Sequence, residues 1–223
     1  MYLSKIQLPP DAPASPRLWD MVQSGYDVHR LVWSWFADGP DRRRDFLYRH
    51  EGAGASSRFL TLSERRPVDP SGLWSIEAKE FAPVLTAGDR LGFLVRVNPT
   101  VRRASGPGQG GRHDVVMDAK TRARAAGHEP PPDATLVQEE GLRWLAGRAA
   151  AAGFSLEEGG ARVDSYTQTS FRRPGGAGEA SVSVMDIQGV LTVADPTVFL
   201  ETVRKGLGPA KGFGCGLMLL RRA

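Results

Sequence analysis

Apolar and polar residues alternate from Tyr2 to Leu8, where a double proline stops the run. A period of two sends successive side chains to opposite faces, so this stretch predicts a strand. The period then lengthens. Val28, Leu31, Val32 and Trp35 recur at i, i+3, i+4 and i+7, which predicts a helix over residues 25–36 with one apolar stripe. Ser24 and Asp27 have the spacing of a capping box ahead of it, and Ser15-Pro16 offers an N-cap and first-turn proline for a short helical turn through Trp19 and Val22. "DFLYRHEG" and "RFLTLSER" predict strands on either side of a Gly/Ser turn at 52–57, and "LWSIEAKEF" and "DRLGFLVRVNP" predict two more.

From Ala104 to Asp133 the composition shifts. "SGPGQGG" and "EPPPD" bracket a basic piece, "RHDVVMDAKTRAR", and the segment reads as a linker or mobile loop, long enough to be functional or disordered. A helix is predicted next, over residues 134–152, with Leu142, Leu145 and Ala149 on one face. "RVDSYTQTSFRR" and "ASVSVMDIQGVLTVAD" predict strands joined through "RRPGGAGE". Asp195 as N-cap, Pro196 in the first turn and Gly206 after the last turn mark the final helix, and "GLMLLRR" the final strand. This order is that of two tandem β-α-β-β-α-β units, an α+β fold of ferredoxin-like, RRM-like type. The expected division is 1–103 for an N-terminal domain carrying the helix at 25–36, 104–133 for the basic loop or linker, and 134–223 for a C-terminal domain that ends in a glycine-rich loop. "FAPVLTAGD" makes a poor helix, so the first unit is expected to be irregular.

The chain has 223 residues, of which 41% are hydrophobic, enough for a core without covalent staples. Cys215 is the single cysteine, so an intrachain disulfide and a cysteine metal cluster are both excluded, which fits a reducing compartment. No stretch has the length and apolarity of a signal peptide or of a membrane span of ~18 residues, so a soluble cytoplasmic protein with no membrane partner is expected. The net charge is +4. Residues 101–130 hold six Lys/Arg against three acids, residues 203–223 hold five against none, and the remainder is therefore −4. Such clustering suits a polyanion partner; by charge alone a solvated surface on an Arg-rich chain fits equally well.

"GLGPAKGFGCG", Gly206 to Gly216, is the most unusual stretch. A dinucleotide fingerprint needs its glycines between a strand and a helix, and a P-loop needs Lys then Ser/Thr after the last glycine; neither pattern is present. Lys211-Gly212-Phe213-Gly214 matches the start of an RNA-recognition-motif signature. The aromatics needed further on are replaced by Cys215, Gly216, Leu217 and Met218, so a base-stacking sheet is rejected. Two readings stay open. The glycines Gly206, Gly208, Gly212, Gly214 and Gly216 let backbone N–H groups reach a phosphate beside Lys211, or they permit a tight turn packed on a neighbouring domain.

The same stretch, continued to "GLGPAKGFGCGLMLL", resembles the C-terminal signature of the CasE family, endoribonucleases that process CRISPR repeat RNA within type I-E Cascade. "MYLSKIQL" resembles the family's first strand. "YDVHRLVW" followed by "DRRRDFLYR" resembles its first helix and second strand, and "RHDVVMDAKTRAR" its central basic segment. The resemblance spans nearly the whole chain, in order. It implies tandem ferredoxin-like domains, binding of a repeat stem-loop, metal-independent cleavage at the base of the stem, and retention of the product beside the other Cascade subunits, with no cofactor. The alternative is a catalytically silent RNA-binding or scaffold subunit of a ribonucleoprotein complex.

Tyr26, His29, Arg30 and Trp33 form a second stripe on the predicted helix, off its core face. The resemblance implies that Tyr26 and His29 are catalytic. Their chemistry suits metal-free RNA cleavage, in which the 2′-OH is deprotonated as it attacks phosphorus and the 5′-oxygen is protonated as it leaves. Histidine, with an ordinary pKa of ~6.5, serves either step; tyrosine, at ~10, orients or donates. The products expected are a 5′-OH and a 2′,3′-cyclic phosphate. Arg30, Arg102, Arg103, Lys120, Arg122, Arg124, Arg172, Arg173 and Lys211 are the candidate phosphate contacts, Arg172 and Arg173 being placed at a hairpin. His50, His113 and His128 show no metal-ligand spacing and are expected in surface or loop roles; Cys215 is expected to be a small buried filler.

Overall fold

The computed structural model describes residues 1–9, 22, 25–36, 43–104, 110–172 and 179–223. The expected short turn at Ser15-Pro16, the capping Ser24 and the tip "RPGGAG" lie outside them. The first unit comprises β1 (Tyr2–Gln7), α1 (Gly25–Ser34), β2 (Phe46–Glu51), β3 (Arg58–Ser63) and β4 (Ser75–Glu80). Its strands form one antiparallel sheet in the order β2-β3-β1-β4. The predicted stripe of α1 seals one face: Val28, Leu31, Val32 and Trp35 pack with Ile6, Phe46, Tyr48 and Phe59. Residues 64–74, between β3 and β4, contain no helix. Pro67 and Pro70 each remove a backbone donor and clash with a preceding helical turn, and Trp74 fills the core instead, 5.2 Å from Trp35 and 5.6 Å from Phe59 ring to ring.

The second unit comprises β5 (Arg90–Val97), β6 (Thr100–Ala104), β7 (Gly110–Asp114), α2 (Val115–Ala125), α3 (Asp133–Ala149), β8 (Phe154–Arg172), β9 (Glu179–Val193), α4 (Pro196–Lys205) and β10 (Met218–Arg222). Its main sheet runs β10-β5-β9-β8, which repeats the strand order of the first sheet. Both units are thus ferredoxin-like, and the fold is α+β. One strand changes units. "DRLGFLVRVNP", placed in the first unit by the sequence division at 103, is β5, and it pairs with β9 and β10. Alternation identified the strand but carried no information about its partner. The sheets therefore part within residues 81–89, where "FAPVLTAGD" runs as coil.

The segment 104–133 is also corrected. Rather than a loop, it closes the β6-β7 hairpin and then forms α2. Asp114 caps that helix, its carboxylate accepting from the Val116 and Met117 amides at 2.9 Å. Val115, Val116 and Ala119 are buried in the second core. Three apolar residues at helical spacing were enough to dock a segment whose composition is otherwise basic.

The first sheet's other face meets the second unit. Leu47 and Leu62 enter the second core. Beside them, buried Arg49 binds Asp186 of β9 through both terminal nitrogens, at 2.9 and 3.2 Å. Arg96 of β5 grips the same carboxylate at 2.9 and 2.8 Å and donates to the His50 carbonyl at 2.8 Å. Burial pushes Asp186 up, and the two guanidiniums overcome that and hold it below the usual carboxylate range. His50 is not a surface or loop residue: its ring stacks on Phe59 at 4.4 Å, and burial, then Arg96, bring its pKa down to about 4.

Candidate active site and nucleic-acid interface

The second stripe of α1 faces the glycine-rich loop of the other unit. α4 ends at Gly206, whose amide bonds to the Thr202 carbonyl at 2.8 Å. The loop is pinned at its neck by Leu207 N–H to the Gly216 carbonyl, 3.0 Å, and by Gly216 N–H to the Arg96 carbonyl of β5, 2.7 Å. Between these anchors Lys211–Phe213 form a single 3₁₀ turn. This turn reaches the first unit. The Gly212 carbonyl accepts from His29 Nδ1 at 3.1 Å and from the Tyr48 hydroxyl at 2.7 Å. Close packing on a neighbouring domain is thus one confirmed purpose of the loop, and the contact is made by a carbonyl rather than by N–H groups.

The geometry decides the histidine's tautomer. A carbonyl oxygen only accepts, so Nδ1 carries the hydrogen, and in the neutral ring Nε2 holds the free lone pair. Burial lowers the His29 pKa; the Gly212 carbonyl opposes this and Arg44 adds to it. The ring is therefore neutral near pH 7, which suits a proton acceptor. Trp33 packs edge-on against it at 6.0 Å. Burial pushes the Tyr48 phenol far up, so it stays a donor. Lys211 donates to the Gly208 carbonyl at 2.8 Å, and burial, then Arg44, lower its pKa. Cys215 is buried, its thiol pushed up to about 12 chiefly by burial, as befits an unreactive filler.

A cleft of about 830 Å³ adjoins this cluster. It is lined by Arg44, Arg102, Arg103, Arg112, Arg148 and Lys211, and no acidic side chain lines it among the described residues. Arg102 and Arg112 face one another across the β6-β7 pairing. Arg148 lies 4.0 Å over the Trp144 ring, which supports the cleft floor beside Gly208.

Of the residues expected from sequence, the structure brings together His29, Arg102, Arg103, Lys211 and Gly212. Lys120 and Arg122 stand elsewhere, engaged by Asp133 and by Asp118. Arg30 and Arg124 are exposed and do not line the cleft. Arg103 divides its charge between the cleft and Asp118. Tyr26 is in the first turn of α1 and Arg172 in β8, with side chains outside the described positions; Arg173 is outside the described residues. Four residues escaped the sequence reading: Arg44, Tyr48, Arg112 and Arg148. Arg44 and Tyr48 sit in the quoted "DRRRDFLYR", where the arginine run just ahead of a strand was the available signal. Among the described residues no group of three or more His, Cys, Asp or Glu is placed to hold a metal, and no helix is long and apolar enough to cross a membrane.

A family profile described as "CRISPR associated protein" matches residues 1–222. The chain is 27% identical to the CRISPR system Cascade subunit CasE of Escherichia coli, over 99% of this chain and 98% of that protein. It is 29% identical to the CRISPR-associated endoribonuclease Cse3 of Thermus thermophilus, over 98% of each. A solved structure of Cse3 bound to a 19-nucleotide RNA superposes with a TM-score of 0.73 at 27% identity, covering 98% of both chains.

Proposed function

The chain belongs to the family of CRISPR-associated proteins, and from that premise we propose that it is the endoribonuclease that cleaves CRISPR precursor RNA at the base of the repeat stem-loop and keeps the product as a subunit of Cascade. The observation that carries the activity is the His29–Gly212 contact, which leaves Nε2 of a neutral imidazole free beside an all-cationic cleft. In this reading His29 Nε2 takes the 2′-OH proton, the 2′-oxygen attacks phosphorus, and the P–O5′ bond breaks as the 5′-oxygen takes a proton from solvent water, giving a 2′,3′-cyclic phosphate and a 5′-OH. Tyr26, one turn before His29, is the group assigned to orient the 2′-OH or to donate at the phosphate. No step requires a metal. Arg102, Arg103, Arg112, Arg148 and Lys211 hold phosphates of the stem, since duplex RNA is recognised mostly through shape and backbone. Kinship to a Cascade subunit supports a cytoplasmic site of action, and the pairing of β5 with β9 and β10 supports a division into a catalytic-helix domain and a glycine-loop domain on either side of residues 81–89.

The test is cleavage of a labelled repeat hairpin in excess EDTA by the wild type and by His29→Ala, with a second substrate carrying a 2′-deoxy residue at the cut. Cutting that survives EDTA and is lost in both the variant and the deoxy substrate is the expected result. Binding without cutting by the wild type would return the silent-subunit alternative.

A further inference from the structure

We propose that Arg44 is a catalytic residue of this site, its guanidinium holding a non-bridging oxygen of the scissile phosphate. The inference rests on the endoribonuclease reading and adds a residue to it. Three observations place the group. First, a Cβ built on Gly212 would sit in ordinary contact with both the imidazole and the guanidinium. That point is 3.5 Å from His29 Cε1 and Nδ1 and 3.7 Å from Arg44 Nη1, so an atom seated over Gly212 touches the base and the guanidinium together. Second, Arg44 and Lys211 line both the basic cleft and a neighbouring groove of about 630 Å³, whose other charged lining is mixed: Arg204 and Lys205 with Asp45, Glu64 and Glu201. A strand passing from one to the other crosses Arg44, beside His29. Third, Arg44 has no carboxylate partner among the described residues. Its chain neighbour Asp45 is engaged by Arg65, Nε to Oδ2 at 3.1 Å.

Burial lowers the pKa of both cations, and Arg44 lowers that of Lys211 further. Two like charges drawn into partial burial, with no carboxylate in contact among the described residues, are repaid by an arriving anion. A phosphate bound there gains charge as the 2′-oxygen attacks, so the contact strengthens in the transition state and appears in the rate more than in the affinity. The titratable groups beside His29 are Arg44, just ahead of β2, which lowers its pKa, and Tyr48 of β2, which shares the Gly212 carbonyl with it.

Single-turnover cleavage at saturating protein, with Kd measured separately, distinguishes the outcomes. The substrate is an RNA copy of the CRISPR repeat from the same genome. Arg44→Ala is expected to slow cleavage by ~10²–10³-fold, the usual loss for one donor to a developing oxyanion, with little change in Kd. Guanidinium ion is expected to restore part of the rate, Arg44→Lys to fall between, and the acid limb of the pH profile to move up as His29 loses a neighbouring cation. If Arg44→Ala and Arg44→Lys both cleave within a few-fold of wild type while His29→Ala is dead, the inference falls and the endoribonuclease reading stands. A loss confined to Kd also overturns it, because Arg44 is then only a binding contact. If His29→Ala cleaves normally, the reading of the site itself falls.

Discussion

Gly212→Ala tests where the reacting phosphate sits. The other glycines of the loop, Gly206, Gly208, Gly214 and Gly216, all have positive φ, and backbone geometry accounts for them. Gly212 does not. A Cβ there meets His29 and Arg44 at 3.5 and 3.7 Å, ordinary contact distances. An alanine is thus sterically admissible, and by restricting the unfolded chain it contributes ~0.4–1 kcal/mol of stability. The new methyl occupies the space between base and guanidinium, however, and a displacement of ~1 Å in a reacting group costs about 10²-fold in rate. Gly206→Ala is the control. Its φ of 78° and ψ of 146° fall in a region almost reserved for glycine, at ~1–3 kcal/mol. Its Cβ would stand 2.7 Å from Leu47 Cδ2, adding ~1–3 kcal/mol of overpacking. At roughly 2–4 °C per kcal/mol for a chain of this size, that variant melts on the order of 10 °C lower. The expected pattern is a Gly212→Ala protein that melts like wild type and cleaves ~10²-fold more slowly in single-turnover assays. Wild-type cleavage by Gly212→Ala would refute the placement of the phosphate over this residue, and a large drop in melting temperature would make the missing side chain a structural requirement.

Tyr48→Phe leaves His29 as the sole donor to the Gly212 carbonyl. A carbonyl released from one donor accepts more strongly from the other, so the imidazolium gains, the His29 pKa rises, and activity is lost at a higher pH on acidification. With a net hydrogen bond of ~0.5–1.5 kcal/mol and about 1.36 kcal/mol per unit, the acid limb of the rate profile moves up by about half a unit; an unmoved limb means the two bonds are uncoupled. Asp186→Ala leaves Arg49, whose side chain is 6% exposed, with Glu51 as its remaining carboxylate at 2.9 Å and takes from Arg96 the carboxylate it grips; breaking such a buried pair costs ~3–5 kcal/mol, the retained Glu51 placing this case at the low end, on the order of 10 °C in a thermal melt. Cleavage by that variant falls with the docking of the two units, and an unchanged melt shows that the pair is dispensable. Hairpin affinity falls steeply with salt, with a slope near about −4 for the cleft cations at ~0.7–0.9 per phosphate, and Arg112→Ala reduces the slope by about that increment. A flat salt response removes the electrostatic reading of the cleft.

How much of this was legible in the sequence depends on how local each feature is. The α1 stripe is written in four residues spaced over two turns, and the structure packs them as spaced. The α4 boundaries are written in Asp195, Pro196 and Gly206, and the Asp195 side chain does accept from Val198 N–H at 3.0 Å. What escaped was partnership. Nothing in "DRLGFLVRVNP" distinguishes pairing with β1 from pairing with β9, because alternation reports two faces and no neighbour. In the basic segment, Lys120, Arg122 and Arg103 were read by charge; Asp118 meets Arg122 one turn away on α2 and Arg103 only when α2 lies against β6, and Asp133 meets Lys120 only when α2 lies against α3. Arg148 lies far in sequence from the other cleft cations, and only the turn of α3 brings it to the cleft.

The site itself is a consequence of partnership, and its parts make no sense within either unit alone. His29 and Tyr48 come from the first unit, Gly212 and Lys211 from the last loop of the second, and Gly212's carbonyl is the one acceptor that both donors share. The loop's neck is tied to β5 through Gly216 and the Arg96 carbonyl. Arg96 in turn holds Asp186 and the His50 carbonyl, while Asp186 holds Arg49. One continuous chain of bonds therefore runs from β2, which carries Tyr48, through the domain interface to the loop that sets the histidine's tautomer. A rotation of the units by a few degrees would separate Gly212 from His29 before it disturbed either core. The tautomer of His29 is thereby made conditional on correct docking, and the Asp186 clamp, 137 residues away from Arg49 in sequence, acts on an imidazole it never touches.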